Sequence, residues 1–214
     1  MIVNERVVAY INSLDCGNSD ICNTIEKEAI ADEVPIIRKE MGNLLKVLLQ
    51  LVQPERILEV GTAVGYSSIL MSENMPENCR ITTIENYEKR IPVAKNNFKR
   101  AGKEEVITLL EGDAMDILKE LDGTYDFIFM DAAKGQYINF LPELLRLMPA
   151  GGLLISDNVL QEGDIVESRY GVTRRNRTIH TRMREYIYTL THAEQLETSI
   201  VPIGDGITLS VKKG

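Results

Sequence analysis

Arg56-Ile-Leu-Glu-Val-Gly-Thr-Ala-Val-Gly-Tyr-Ser67 decides the fold. Its first five residues read as a strand, Gly61 and Gly65 let the backbone turn tightly and approach a ligand, and a helix follows over Tyr66–Glu73. The unit then repeats. Arg80–Glu85 is a second strand with a helix over Glu88–Ala101, and Val106–Leu110 is a third with a helix over Ala114–Leu121. Tyr125–Met130 is a fourth, whose helix carries Tyr137, Phe140, Leu141, Leu144 and Leu145 on one face. Pro149-Ala-Gly-Gly152 turns into a fifth strand ending at Ser156. A further helix over Thr178–Thr191 turns Ile179, Met183, Tyr186, Ile187 and Leu190 inward. The last strands, Gln195–Val201 and Gly206–Val211, are joined by Pro202-Ile-Gly-Asp205, a connection short enough for an antiparallel hairpin. The spacing predicts an α/β fold: a doubly wound, seven-stranded, mostly parallel sheet with helices on both faces and a C-terminal antiparallel hairpin.

Ahead of this core, residues 1–53 read as a helical extension. Val3, Val7, Ile11 and Leu14 recur at helical spacing, as do Ile37, Met41, Leu44, Leu45, Leu48 and Val52. Asp15-Cys-Gly-Asn18 breaks the first helix, and Pro35 suits the first turn of the third. No linker or repeat interrupts the chain, so residues 1–214 read as one domain with the α/β core over 55–214.

The composition narrows the class. With 214 residues, 44% hydrophobic and 26% charged, the chain can bury a sizeable core. No apolar run approaches the ~20 residues a membrane span needs, and Met1-Ile-Val-Asn-Glu-Arg6 lacks the build of a signal peptide. Cys16, Cys22 and Cys79 have no metal spacing and only His180 and His192 accompany them, so a zinc site is not expected. Reduced thiols in a cytoplasmic protein are the simplest reading. A net charge of −8 argues against a general nucleic-acid coat. Yet Ser168–Arg184 carries six arginines, Arg174, Arg175, Arg177 and Arg182 among them, and no acid. That stretch is a solvated helix face or an edge that meets a polyanion.

Two clusters follow apolar strands: Asp131-Ala-Ala-Lys134 after the fourth and Asp157-Asn158 after the fifth. Ligands of open α/β sheets bind at the carboxyl ends of the strands. Two carboxylates and a carboxamide converging there would suit Mg²⁺, Mn²⁺ or Ca²⁺, with Lys134 adding a cation or proton acceptor. Strand-end Asp and Asn also cap turns.

The glycine turn is not the dinucleotide fingerprint, because Ala63 takes the place of the middle glycine. That weakens the case for a bound pyrophosphate and leaves room for a sulfonium cofactor. Glu85, at the end of the second strand, can accept from ribose hydroxyls. Asp113, beside Ala114 after the third strand, could accept from an adenine amino group. Either acid alone could be a helix cap.

Taken together these residues resemble the class I S-adenosylmethionine-dependent methyltransferases, and more narrowly the cation-dependent O-methyltransferases of catechol and caffeoyl-CoA type. The resemblance spans nearly the whole chain. It implies a divalent metal, Mg²⁺ in the first place, on Asp131, Asp157 and Asn158, and Lys134 near the reacting hydroxyl. It implies cofactor contacts from Ile37, Glu59, Gly61, Ser67, Glu85, Asp113, Ala114 and Asp131, and a homodimer. Asp131-Ala-Ala-Lys-Gly-Gln-Tyr137, Asp157-Asn-Val-Leu160 and the arginine stretch look most like the bacterial tRNA 5-hydroxyuridine methyltransferases. The expected reaction is therefore methylation of a wobble 5-hydroxyuridine in a tRNA anticodon loop, giving 5-methoxyuridine, with Arg174, Arg175, Arg177 and Arg182 on the RNA. The alternative is a small catechol or a caffeoyl-CoA-like phenol. A metal that chelates two vicinal oxygens serves both acceptors equally.

Overall fold

The computed structural model describes residues 2–214, so the first residue of the expected helical extension lies outside it. Seven strands form one sheet: β1 (Arg56–Val60), β2 (Arg80–Glu85), β3 (Ile107–Glu111), β4 (Phe127–Met130), β5 (Leu153–Ser156), β6 (Leu196–Val201) and β7 (Ile207–Lys212). Their order is β3-β2-β1-β4-β5-β7-β6. The first five run parallel, and β7 pairs antiparallel with both β5 and β6. The doubly wound architecture with its closing hairpin is the one the sequence predicts.

Side chains alternate across each central strand, as the two-residue period of a strand requires. Ile57, Phe127, Phe129 and Ile155 join one buried cluster, while Leu58, Ile128, Met130 and Leu154 join the other. The first cluster is covered by α2 (Asp20–Ala31), α3 (Lys39–Val52), α4 (Tyr66–Asn74) and α5 (Ile91–Arg100). The second is covered by α6 (Ala114–Glu120), α7 (Tyr137–Leu147) and α8 (Arg177–His192). Helices on both faces explain why β4 and β5 read as unbroken apolar runs rather than alternating ones.

Register sets the row of strand ends. Glu111 faces Glu85, Val60 faces both Ile84 and Met130, and Met130 faces Ser156. The pairing continues one residue further, with Gly112 N–H donating to Glu85 O, Gly61 N–H to Ile84 O, Asp131 N–H to Val60 O and Asp157 N–H to Met130 O. Asp113, Glu85, Gly61, Asp131 and Asp157 therefore stand in spatial order along one edge. The order in which strands join the sheet reverses between β1 and β4, which run parallel, and the crevice at such a switch point is where ligands of this architecture sit. Gly61 has φ +105°, and a Cβ there would overlap the carbonyl of Asp131. Gly65, at φ +84°, leaves its room to the Phe98 ring. Both glycines thus let chain segments close up, in addition to any approach to a ligand.

Two expectations shift, and a third, the first helix, holds while its apolar face is left uncovered. α3 begins at Lys39, so Pro35 does not open it; residues 35–38 remain non-helical and lead into the crevice. On α8 the buried residues are His180, Met183, Tyr186 and Leu190, while Ile179 is 37% exposed and turns to the crevice mouth. The apolar stripe of α1 (Glu5–Ser13) buries nothing: Val7, Tyr10, Ile11 and the following Leu14 are all exposed. The periodicity was helical, but it does not face this chain's own core.

Candidate active site

Two cavities open at the strand-end row. One, of about 570 Å³, runs past Gly61, Ser67, Glu85, Asp113 and Ala114. The other, of about 450 Å³, is lined by Asp157, Asp205, Arg38 and Ile179. Both include Ile36, Ile37, Asp131, Lys134 and Asn158 in their walls. Of the residues expected to handle a metal or a proton, Asp131, Lys134 and Asn158 border both chambers and Asp157 lines the smaller one.

In the larger chamber Glu85 is buried and heavily engaged. Its Oε2 accepts from Ala63 N–H at 2.7 Å, and its Oε1 accepts from Asn86 and Tyr87 N–H at 3.0 and 2.9 Å. A carboxylate has about four acceptor positions, so roughly one is left for a ribose hydroxyl unless an amide gives way. Asp113 caps α6 by accepting from Met115 N–H at 2.8 Å with one oxygen, and the residue lines the larger chamber. Tyr87 and Arg90 also line it, with the Arg90 guanidinium 5.3 Å from the Tyr87 ring centroid. Nothing in their local sequence signalled that placement.

Glu59 is the correction here. It is fully buried and lines neither cavity. Its carboxylate accepts from Ser67 Oγ at 2.5 Å, from Thr83 Oγ1 at 2.5 Å, and from Ser68 Oγ. Burial pushes its carboxyl above the ordinary carboxylate range, and the three hydroxyls pull the other way. Glu59 ties β1 to β2 and to the first turn of α4, so it shapes the glycine turn from below. Ile37 belongs both to the core cluster and to the cavity wall.

At the junction two carboxylates share a site largely withdrawn from water. Desolvation, then the charges of Asp157 and Glu59, push Asp131 up to about 7, with Lys134 opposing. Asp157 is raised chiefly by burial; its bonds from Asn158 oppose the shift and Asp205 adds to it. Asn158 N–H donates to Asp157 Oδ1 at 2.7 Å, and Asn158 adopts a left-handed conformation, φ +59°, that asparagine tolerates better than most residues. Like charges placed this way favour either a bound proton or a cation. Hard oxygen donors suit a Mg²⁺-like ion. Among the described residues no three His, Cys, Asp or Glu side chains form a ligand cluster. Two carboxylates and the neighbouring Asn158 amide are the oxygen donors the residues here could offer such an ion.

A family model described as O-methyltransferase matches residues 18–213. The chain belongs to the O-methyltransferase family. A catechol O-methyltransferase of Niastella koreensis is 38% identical over 170 residues, covering 76% of each chain. Caffeoyl-CoA O-methyltransferase 2 of Populus trichocarpa is 34% identical over 182 residues, covering 78% of this chain and 71% of the poplar enzyme. Among solved structures, the O-methyltransferase TomG of Streptomyces achromogenes in complex with SAM superimposes with a TM-score of 0.87 at 26% identity, covering both chains fully. The SAH-bound methyltransferase PaMTH1 of Podospora anserina gives 0.87 at 26%, covering 98% and 95%.

The arginine stretch of this O-methyltransferase divides. Arg174 and Arg175 are exposed just before Asn176, which lines the smaller cavity. Arg177 lies 5.6 Å from the Tyr170 ring centroid. Arg182 donates to Gly135 O at 3.0 Å and Arg184 to Ile165 O at 2.8 Å, so both help to hold loops around the cavity. Arg38, half-buried in the cavity wall, was not anticipated.

One prediction follows from the paired carboxylates. In protein stripped of divalent ions, side-chain NMR should find the Asp131 carboxyl titrating at about 7, neutral below and charged above. Asp157→Asn removes a like charge, so the Asp131 transition should move to lower pH. A transition in the ordinary carboxylate range, or one indifferent to Asp157→Asn, would contradict the electrostatics described.

Proposed function

We propose that the protein transfers the methyl group of S-adenosylmethionine to one hydroxyl of an acceptor bearing two adjacent oxygens, with Mg²⁺ or a similar divalent cation. The observation that carries this reading is the shared wall: Asp131, Lys134 and Asn158 border both chambers. TomG, solved with SAM, supports the choice of methyl donor for the larger chamber.

In that chamber Glu85 accepts a ribose hydroxyl, the free oxygen of Asp113 accepts from the adenine amino group, and Gly61, Ser67 and Ala114 shape the walls. The cofactor supplies an electrophilic methyl on a sulfonium. Asp131, Asp157 and Asn158 would hold the cation, whose charge favours the ionised form of a nearby hydroxyl. The walls formed by Ile36 and Ile37 limit water at the junction. Lys134 Nζ takes up the hydroxyl proton or lies beside the resulting oxyanion. Held in line with the ionised oxygen, the sulfonium methyl would pass to it, and the thioether S-adenosylhomocysteine would leave. Alignment of these centres, rather than acid–base strength alone, is the enzyme's main contribution.

A small catechol-type or hydroxycinnamoyl-CoA acceptor is the first reading, because the relatives named above are catechol and caffeoyl-CoA enzymes. Exposed Arg174 and Arg175, next to the lining residue Asn176, favour a second reading, the 5-hydroxyuridine of a tRNA anticodon loop. O5 and the adjacent O4 of that base offer the same chelating geometry, and arginine forks suit phosphates. The second reading requires steep salt dependence.

We also infer a homodimer. Val7, Tyr10, Ile11 and Leu14 near α1, and Val47 and Leu51 on α3, leave apolar side chains exposed on neighbouring helices. A second copy of the chain would cover them. Sedimentation should give a dimer that Ile11→Asp with Leu51→Asp dissociates; a monomeric parent protein would contradict this.

Incubation with labelled methyl donor, Mg²⁺ and parallel acceptors (a catechol panel, caffeoyl-CoA, and tRNA bearing 5-hydroxyuridine) should label one class. Lys134→Ala should lower turnover on that class by about 100-fold while S-adenosylmethionine affinity changes less than about twofold. Equal turnover in variant and parent would remove Lys134 from the reaction, and labelling of none would reject the vicinal-oxygen reading.

A further inference from the structure

Asp205 closes the turn between β6 and β7, where an aspartate ordinarily does no more than satisfy turn amides. Here it does something else. Its side chain is 7% exposed and faces the smaller cavity. Oδ2 pairs with Lys134 Nζ at 3.2 Å, across 71 residues of sequence. Oδ1 accepts from Glu162 N–H, across 43 residues. Its own carbonyl accepts from Leu160 N–H at 3.0 Å, and the next residue's carbonyl accepts from Val159 N–H at 2.9 Å. One residue thus joins the hairpin to the loop after β4 and to the loop after β5.

The loop after β5 needs such a tie. Asn158, Gln161 and Glu162 all have positive φ, 59°, 51° and 54°, a conformation that costs non-glycine residues energy unless surrounding contacts impose it. Lys134 needs one as well. Its four-carbon stem leaves the ammonium many positions, and within reach lie Asp131 and Asp157, whose carboxyls it pulls downward. Without a third anion, the ammonium would settle on the metal-site carboxylates and compete with the cation for them. Asp205, itself near Asp157, gives Nζ a partner of its own at 3.2 Å. Asp205 lies outside any three-carboxylate ligand cluster.

We propose that Asp205 is a positioning residue for methyl transfer: its carboxylate holds Lys134 Nζ at the wall of the acceptor cavity, in place of an ion pair with Asp131 or Asp157, where the acceptor's hydroxyl is received. The proposal rests on the second role given to Lys134 above, an ammonium beside the oxyanion, because an ammonium has no lone pair with which to take up the proton.

Asp205→Asn separates the two functions of the side chain. The amide oxygen can still accept from Glu162 N–H, whereas its NH₂ meets Lys134 as donor against donor. Turnover of Asp205→Asn with saturating S-adenosylmethionine and Mg²⁺ should fall about ten- to hundredfold, with affinity for S-adenosylhomocysteine by calorimetry unchanged within about twofold. In a Lys134→Met background the same substitution should cost no further turnover, because residues acting as a unit are not additive. Losses that multiply in the double variant would overturn the proposal, as would full turnover in Asp205→Asn while Lys134→Met is impaired. Lys134→Met with parental turnover would instead sink the role of Lys134 itself. A readout independent of activity and of variant folding is the ¹⁵N relaxation of the Lys134 ammonium in the parent protein. It should be ordered like a paired lysine; solvent-like mobility would overturn the proposal.

Discussion

Asp131 and Asp157 stand at the ends of neighbouring parallel strands, and the rest of the site depends on that enforced approach. Adjacent strands lie about 4.8 Å apart, and the register puts both acids one residue past the paired Met130 and Ser156. Neither can withdraw. Asp157 N–H is bonded to Met130 O, and Tyr137, fully buried, directs its hydroxyl at Met130 O and Asp157 O at 3.3 and 3.1 Å. Behind it Tyr186 packs edge-on, 5.5 Å between ring centroids, and shares a hydrogen bond with Ser156. A hydrophobic core therefore stabilises a like-charge pair that would otherwise separate. Functional sites commonly break local rules in this way, with packing elsewhere supplying the offset.

The junction of two cavities converts this pair into chemistry. On the function proposed, a cation held by Asp131, Asp157 and Asn158 would supply positive charge to an acceptor oxygen entering the smaller cavity. Lys134 occupies the same wall but is drawn towards the hairpin. The positive charges at the mouth are split by role. Arg182 and Arg184 bind loop carbonyls and keep the cavity rim in place, whereas Arg174 and Arg175 remain exposed and Arg38 lies half-buried in the wall. Those last three make none of the loop-holding bonds seen for Arg182 and Arg184, and on the function proposed they would meet phosphate or carboxylate groups of an acceptor.

Much of this was legible because it rests on short-range pattern. Apolar runs four to six residues long, each closed by Gly or an acid, mark β1 to β5, and Pro202-Ile-Gly-Asp205 marks the hairpin. The row Gly61, Glu85, Asp113, Asp131, Asp157 follows from parallel register once those strands are recognised. What could not be read depends on contacts far apart in sequence. Glu59 looked like part of the ligand turn, yet Ser67, Ser68 and Thr83 use its oxygens beneath that turn. Ile11 and Leu14 have core periodicity but face outward, since hydrophobic spacing reveals that a face is apolar without revealing what covers it. Asp205 resembled a turn residue until the fold brought Lys134 to it.

Manganese binding tests the central claim most directly. Calorimetric titration of Mn²⁺ into the parent protein should show one ion per chain, with affinity falling about a hundredfold or more in Asp131→Asn and in Asp157→Asn, both variants remaining folded. Parent-like affinity in both variants would place the ion elsewhere and contradict the account.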